Sequence, residues 1–227
     1  MLIGILQTGH APDTVRARDG DYSDLFEKLL GGRGLSFRTW SVVDGEFPPD
    51  IDAADGWLIT GSRHGAYDDL PWIPPLEDLI RRIHAAKKPL VGVCFGHQIV
   101  AQALGGRVEK FTGGWSVGRT EYDFGGRRLA LNAWHQDQVT EKPADATVLA
   151  SSPNCRYAAL AYGDHIFTVQ PHPEFSATII DDLARTRGKG VVPEPLLERA
   201  QATLDQPTDE GQIADRIVTH FKETAHV

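Results

Sequence analysis

Two short stretches of this chain carry residue types that can do covalent chemistry together. The first is Gly92-Val93-Cys94-Phe95-Gly96-His97-Gln98. The apolar run Pro89-Leu90-Val91-Gly92-Val93 leads into Cys94, and Ile99, Val100, Ala103 and Leu104 follow at helical spacing. That pattern predicts a strand, a sharp turn and a helix, with one thiol at the turn. A side chain raised on so tight a turn leaves no room for bulk two residues to either side, where Gly92 and Gly96 stand. This is the cysteine form of a nucleophile elbow. Cys94 then sits at a helix N-terminus, where free N–H groups and the helix dipole favour an anion. Thiols in that setting ionise readily. The Phe95 N–H points to where a tetrahedral oxyanion would form. The competing reading of Cys94 is a buried, inert thiol.

The second stretch is His172-Pro173-Glu174. A nucleophilic thiol needs a base, and the base needs an orienting group. Pro173 biases His172 to extended geometry, and alternate residues of an extended chain share a face. Glu174 can then fix the imidazole tautomer and stabilise imidazolium beside thiolate. The competing reading is a turn before a helix, with Glu174 favouring the helix dipole.

The 227 residues suit one α/β domain spanning 1–227, long enough to bury a sizeable core. The net charge of −8 and the absence of a basic stripe argue against nucleic acid or an anionic membrane as partner. The N-terminal run, residues 1–7, lacks a basic leader and a cleavage site and reads as a first strand, not a signal peptide. No run reaches membrane-spanning length. These features point to a cytoplasmic protein. Cys94 and Cys155 could pair on count, but a chain without a secretion signal belongs in a reducing compartment. No Cys/His cluster has zinc spacing, so neither a metal nor a cofactor is expected.

The elements that must position the two stretches follow from periodicity. After the first strand, residues 8–20 are polar and read as a loop. Residues 22–30 read as a helix ended by Gly31-Gly32, 35–43 as a strand, and 56–60 as a short apolar strand. A long loop over 61–75 precedes a helix marked by Leu76, Leu79, Ile80 and Ile83. Loops of that length in compact domains are often functional. The order β-α-β-β-α-β-α predicts an open, mostly parallel twisted sheet flanked by helices, with ligands outside the carboxyl ends of its strands. Cys94 and Gly61 would both lie there. Further on, Gly125-Gly126 between 119–124 and 127–133 signals an antiparallel hairpin. The polar cluster 134–138 and short strands at 147–151, 157–161 and 165–170 follow. Ser176 reads as an N-cap, with Phe175 and Ile180 placed for a hydrophobic staple. Helical patterns at 194–204 and 210–221 close the chain, and 188–195 is the best linker candidate.

Taken together, the elbow and the Gln170-Pro171-His172-Pro173-Glu174 segment closely resemble the class I (triad) glutamine amidotransferase family, over nearly the whole chain. The resemblance implies a flavodoxin-like three-layer fold and a Cys94–His172–Glu174 triad. It also implies a γ-glutamyl thioester on Cys94 and an oxyanion hole from the Gly61 and Phe95 backbone N–H groups. Gln98 matches a residue that helps hold substrate, and Gln136 and Asp137 match positions whose backbone lines the same pocket. Some positions depart from the family pattern. Pro171 replaces an aromatic or aliphatic residue. Thr60-Gly61-Ser62 lacks a proline-glycine pattern of synthase-linked members. The stretch Tyr67-Asp68-Asp69-Leu70-Pro71-Trp72 is similar to stand-alone members. Trp115-Ser116-Val117-Gly118 is similar to a Gly-Trp-Glu-x-Gly segment of those members, with Ser116 in place of the acid. His97 reads as a packing residue, while His10, His64 and His135 have no chemical role assigned.

The resemblance implies one of two activities: a self-contained hydrolase of glutamine or γ-glutamyl compounds, or a glutaminase subunit delivering ammonia to a separate synthase partner. A non-catalytic module that keeps the pocket is disfavoured by the intact Cys, His and Glu. Another cysteine-elbow superfamily, of intracellular hydrolases and chaperones, shares the elbow but not the tripeptide. The oligomeric state and the role of the last two helices are not encoded in any motif.

Overall fold

In a computed structural model, which describes residues 1–224, apolar periodicity and strand pairing assemble a nine-stranded mixed sheet. The described residues form eleven strands, nine of them in this sheet: β1 (Leu2–Gln7), β2 (Ser36–Ser41), β3 (Gly56–Ile59), β4 (Leu90–Val93), β5 (Arg107–Lys110), β6 (Ser116–Phe124), β7 (Arg127–His135), β8 (Asp137–Glu141), β9 (Ala146–Ser152), β10 (Cys155–Tyr162) and β11 (Ile166–Val169). The helices are α1 (Asp13–Asp19), α2 (Tyr22–Leu30), α3 (Ile73–Ala85), α4 (Phe95–Ala103), α5 (Ala177–Arg185), α6 (Glu194–Gln201) and α7 (Glu210–Thr224). The sheet order is β2-β1-β3-β4-β11-β10-β9-β6-β7. The strands from β2 through β11 run parallel, and β10, β9, β6 and β7 extend the sheet antiparallel. The hairpin at Gly125-Gly126 joins β6 to β7 as the sequence predicts.

Side chains alternate across the parallel half, so each strand feeds two cores. Leu6, Trp57 and Ile59 pack with Leu76, Ile80 and Ile83 of α3 and Ile99 of α4 on one face. Ile3, Ile5 and Leu58 pack on the other with Phe26 of α2 and Ile213, Ile217 and Phe221 of α7. The fold is the α/β three-layer arrangement expected, and α7 completes one of its layers. A third cluster joins Val15 of α1, Tyr22 and Leu25 of α2, Phe175, Leu183 of α5 and Leu197 of α6.

The structure departs from the sequence reading in four places. The expected loop at 8–20 contains α1, whose single buried side chain, Val15, gives no periodic apolar signal. The helix expected from Leu76 begins at Ile73, with prolines in its first turn, where a missing N–H breaks no helical bond. Strands β5 and β8 form a separate two-stranded antiparallel sheet, and β8 takes up the end of the polar cluster at 134–138. The linker candidate at 188–195 is packed, with Val192 buried in the third cluster. The Ser176 cap forms as expected, its side chain accepting from the Ile179 N–H.

The elbow itself depends on two close approaches. A Cβ placed on Gly92 would lie 2.5 Å from the Gly96 carbonyl oxygen and 3.0 Å from the His97 nitrogen. A Cβ on Gly96 would run into the Ile59 carbonyl oxygen. Both obstacles are backbone, so neither can turn aside. Gly92→Ala should therefore push the first turn of α4 off β4 and lower unfolding stability by roughly 1–3 kcal/mol. Urea unfolding of the variant, with an unchanged m-value, checks this.

Candidate active site

Parallel pairing brings the two stretches together. Strand β4 lies beside β11 in the register Gly92 with Thr168 and Val93 with Val169. Cys94 continues that pairing, its N–H donating to the Val169 carbonyl at 2.9 Å. Both strands therefore end at one rim of the sheet, Cys94 one residue beyond β4 and His172 three beyond β11.

Cys94 has φ 52° and ψ −104°, one of two non-glycine residues with positive φ among the described residues. A cysteine is strained in that region, and such strain concentrates at functional sites. Cys94 is the N-cap residue of α4, so the Phe95 N–H heads the helix without an intrahelical acceptor. Phe95 is buried against Trp72, with ring centroids 5.5 Å apart. Gly61 closes the other side: a Cβ there would lie 2.9 Å from His172 Cε1 and 3.7 Å from Cys94 Cβ. Gly61 thus faces both groups, and a side chain there would collide with the imidazole.

His172 is fixed from three directions. Its Nδ1–H donates to Glu174 Oε1 at 2.6 Å, since a carboxylate can only accept. Its ring lies flat on Phe175, at 3.9 Å between centroids and 3° between planes. Its backbone N–H donates to the Asn132 carbonyl at 2.8 Å, and the Asn132 side-chain amide donates to the Phe175 carbonyl at 2.8 Å. Asn132 therefore clamps both ends of the segment from His172 to Phe175. Pro171 has no N–H to give, but its neighbours Gln170 and His172 are bonded to Ala158 and Asn132.

Burial alone would push the His172 imidazole down. The Glu174 carboxylate and the Cys94 sulfur outweigh that and raise it to about 10. Glu174 is itself buried, and its second oxygen has no hydrogen-bond partner among the described residues. A buried carboxylate needs a counter-charge, and His172 is the group placed to supply it. The other buried histidines near the rim behave oppositely. Burial lowers His97 and His135 to about 3 and holds both neutral. His97 is bonded through Nδ1 to Thr168 at 2.8 Å, consistent with a packing role.

The rim opens into a cleft of about 400 Å³. Cys94, His172, Gln98, Gln136 and Asp137 all line it. Gln98 donates to the Asp137 carbonyl at 2.8 Å and to Gln170 Oε1 at 3.2 Å, which fixes its amide. Tyr67, from the long loop, donates its hydroxyl to Asp137 at 3.1 Å and so ties the loop across the cleft. Ser116 is buried and accepts from the Asn154 side-chain amide at 2.8 Å. Cys155, the second thiol, is free, buried and pushed up to about 12 by burial. Among the described residues, no group of three or more His, Cys, Asp or Glu is arranged to hold a metal ion. No described helix is long and apolar enough to cross a membrane.

The structure brings every sequence-predicted site residue to this rim or its lining. Residues missed by the sequence reading are Asn132, Phe175 as the stacking partner of His172, and Tyr22 and Arg187, which also line the cleft. Asn132 left a signal: it is a polar residue inside the apolar run Leu129-Ala130-Leu131-Asn132-Ala133, where an amide needs a buried partner.

Known proteins share this fold. The family model for class-I glutamine amidotransferases matches residues 48–183. The chain belongs to the class-I glutamine amidotransferase family. Among curated relatives of this chain, gamma-glutamyl peptidase 3 of Arabidopsis thaliana is 30% identical over 225 residues, covering 91% of this chain and 90% of the relative. One subunit of the glutamine-hydrolysing GMP synthase of Sulfolobus acidocaldarius is 29% identical over 168 residues, covering 70% of this chain and 87% of the relative. A solved glutamine amidotransferase from Methylobacillus flagellatus shares the fold, with a TM-score of 0.75 at 22% identity over all of this chain and 93% of that one.

The raised His172 makes a testable statement about charge. Because its folded value lies above the ordinary histidine value, the imidazolium contributes stability that is fully present below about pH 6.5 and is lost as pH rises through about 10. Nitrogen chemical shifts of the histidine rings at pH 8 should show His172 protonated on both nitrogens and His97 and His135 neutral. In Glu174→Gln, the His172 titration should move down, because the neutral amide no longer favours the cation.

Proposed function

We propose that this amidotransferase hydrolyses the γ-amide bond of γ-glutamyl compounds, glutamine included, through a thioester on Cys94. One observation carries the reading: a buried imidazole, held by a buried carboxylate, sits beside a strained thiol at one rim of the sheet. In this reading Cys94, His172 and Glu174 form the catalytic triad. Gly61 and Phe95 supply oxyanion N–H donors, and Gln98, Gln136 and Asp137 hold the glutamyl part.

The Cys94 sulfur attacks the γ-carbonyl carbon, and the carbonyl electron pair moves onto oxygen. The N–H groups of Gly61 and Phe95 hold that oxyanion. When the pair returns, the C–N bond breaks and the departing amine takes a proton from the His172 imidazolium. Water then attacks the thioester while His172 accepts its proton. The C–S bond breaks, glutamate leaves and the thiolate is restored. Glu174 keeps Nδ1 protonated throughout, so Nε2 is the atom that exchanges protons.

The long match to a gamma-glutamyl peptidase supports self-contained hydrolysis, since it spans nine-tenths of both chains. The match to a GMP synthase component keeps ammonia delivery to a synthase partner as the contrasting case. A panel of γ-glutamyl amides beside free glutamine separates them. The purified protein alone should release glutamate from at least one γ-glutamyl amide. Glutamine hydrolysis that appears only when a synthase is added would favour the partner-dependent activity. Cys94→Ala should reduce turnover to background, and Glu174→Gln should lower kcat by roughly 10³–10⁴-fold through loss of the correct tautomer.

A further inference from the structure

The proposed mechanism has a direction built into it. The amine that departs takes its proton from His172, so the leaving group lies on the His172 side of the cleft. Contacts lead outward from there along one wall. The His172 ring stacks on Phe175 at 3.9 Å, Phe175 stacks on Tyr22 at 6.1 Å, and the Tyr22 hydroxyl accepts from Arg187 Nη1 at 3.3 Å. This wall ends in a guanidinium.

Arg187 is half-buried and held by two neutral oxygens. The second is the His10 carbonyl, which accepts from Nη2 at 3.1 Å. Among the described residues no carboxylate lies within 4.0 Å of it. Two neutral acceptors fix the guanidinium plane but leave its charge uncompensated. Eight of the fifteen other arginines approach a carboxylate among the described residues. Arg16 approaches Asp13 and Asp21, Arg18 approaches Asp19 and Asp182, and Arg185 approaches Asp181.

A second cavity of about 450 Å³ lies next to the cleft and shares Arg63, His64 and Arg187 with it. Arg63, like Arg187, has no ion-pair partner among the described residues, while Arg16 and Asp13, which pair with each other, line the same cavity. The positive charge past the cleft without a carboxylate partner among the described residues therefore comes from Arg187 and the exposed Arg63. By contrast, Asp137, tied to Tyr67 and Gln98, belongs to the wall assigned to the glutamyl head.

We infer that Arg187, with Arg63 beside it, receives a carboxylate carried by the leaving group, so that the preferred substrates are γ-glutamyl amides of amino acids or short peptides. This rests on the hydrolase reading above. A guanidinium fork matches a carboxylate bidentately, and its charge makes the bond stronger than a neutral one. Glutamine and γ-glutamyl amines without an acid leave that cation unpaired.

The test compares two substrates that differ only at the relevant group, γ-glutamylglycine and γ-glutamylglycinamide. The wild-type protein should favour the acid in kcat/KM by roughly 10- to 100-fold. Arg187→Gln should bring that ratio close to one, mainly through a higher KM for the acid, and Arg187→Lys should restore part of it. Equal turnover of the two compounds by the wild-type protein would overturn the inference and leave the hydrolase reading standing. So would an undiminished preference in Arg187→Gln. The wild-type comparison decides even if the variants fold poorly. Failure to hydrolyse any γ-glutamyl amide would overturn the hydrolase reading itself, and the inference with it.

Discussion

The parallel pairing of β4 with β11 is the constraint from which the site follows. Residues 94 and 172 are far apart in sequence, and no local contact could join them. In-register pairing of Val93 with Val169 ends both strands at one rim, so the thiol and the imidazole meet without any long side chain reaching across. An antiparallel arrangement of the same two strands would put them at opposite ends. The antiparallel extension beyond β11 also matters, because β7 carries Asn132 to the segment that holds His172.

What the rim then contains is costly in isolation. A strained cysteine, a buried carboxylate with one unpartnered oxygen and a buried imidazole each oppose folding. They persist because the surroundings over-determine them. Gly92 and Gly96 allow α4 to dock on β4 and Ile59, Phe175 stacks on the imidazole, and Asn132 ties the loop at both ends. Each charge also compensates the other, so removing either member of the His172–Glu174 pair leaves the other worse off. The neutral histidines His97 and His135 mark the contrast. Both are as deeply buried as His172, yet neither has a carboxylate beside it.

The parts of this arrangement that were legible in sequence are those fixed by local rules. The elbow could be read because small residues flank a cysteine between a strand pattern and a helix pattern. The His172-Pro173-Glu174 tripeptide could be read because extended geometry puts its outer residues on one face. The parts that were not legible depend on long-range packing. Helix α1 buries one side chain and so lacks periodicity, while β5 and β8 pair only because the chain returns to that edge. The stacked wall from His172 to Arg187 joins α2, the segment after β11 and the turn after α5, which no single stretch of sequence displays.

The chemistry proposed for the rim depends on one sulfur acting as the nucleophile. The most direct measurement is the site of covalent labelling by an electrophilic glutamine analogue, mapped by mass spectrometry, with residual turnover read on the same sample. The expected result is one label per chain on Cys94, none on the buried Cys155, and loss of turnover in step with labelling. Label on another residue, or turnover that survives full modification of Cys94, would contradict it.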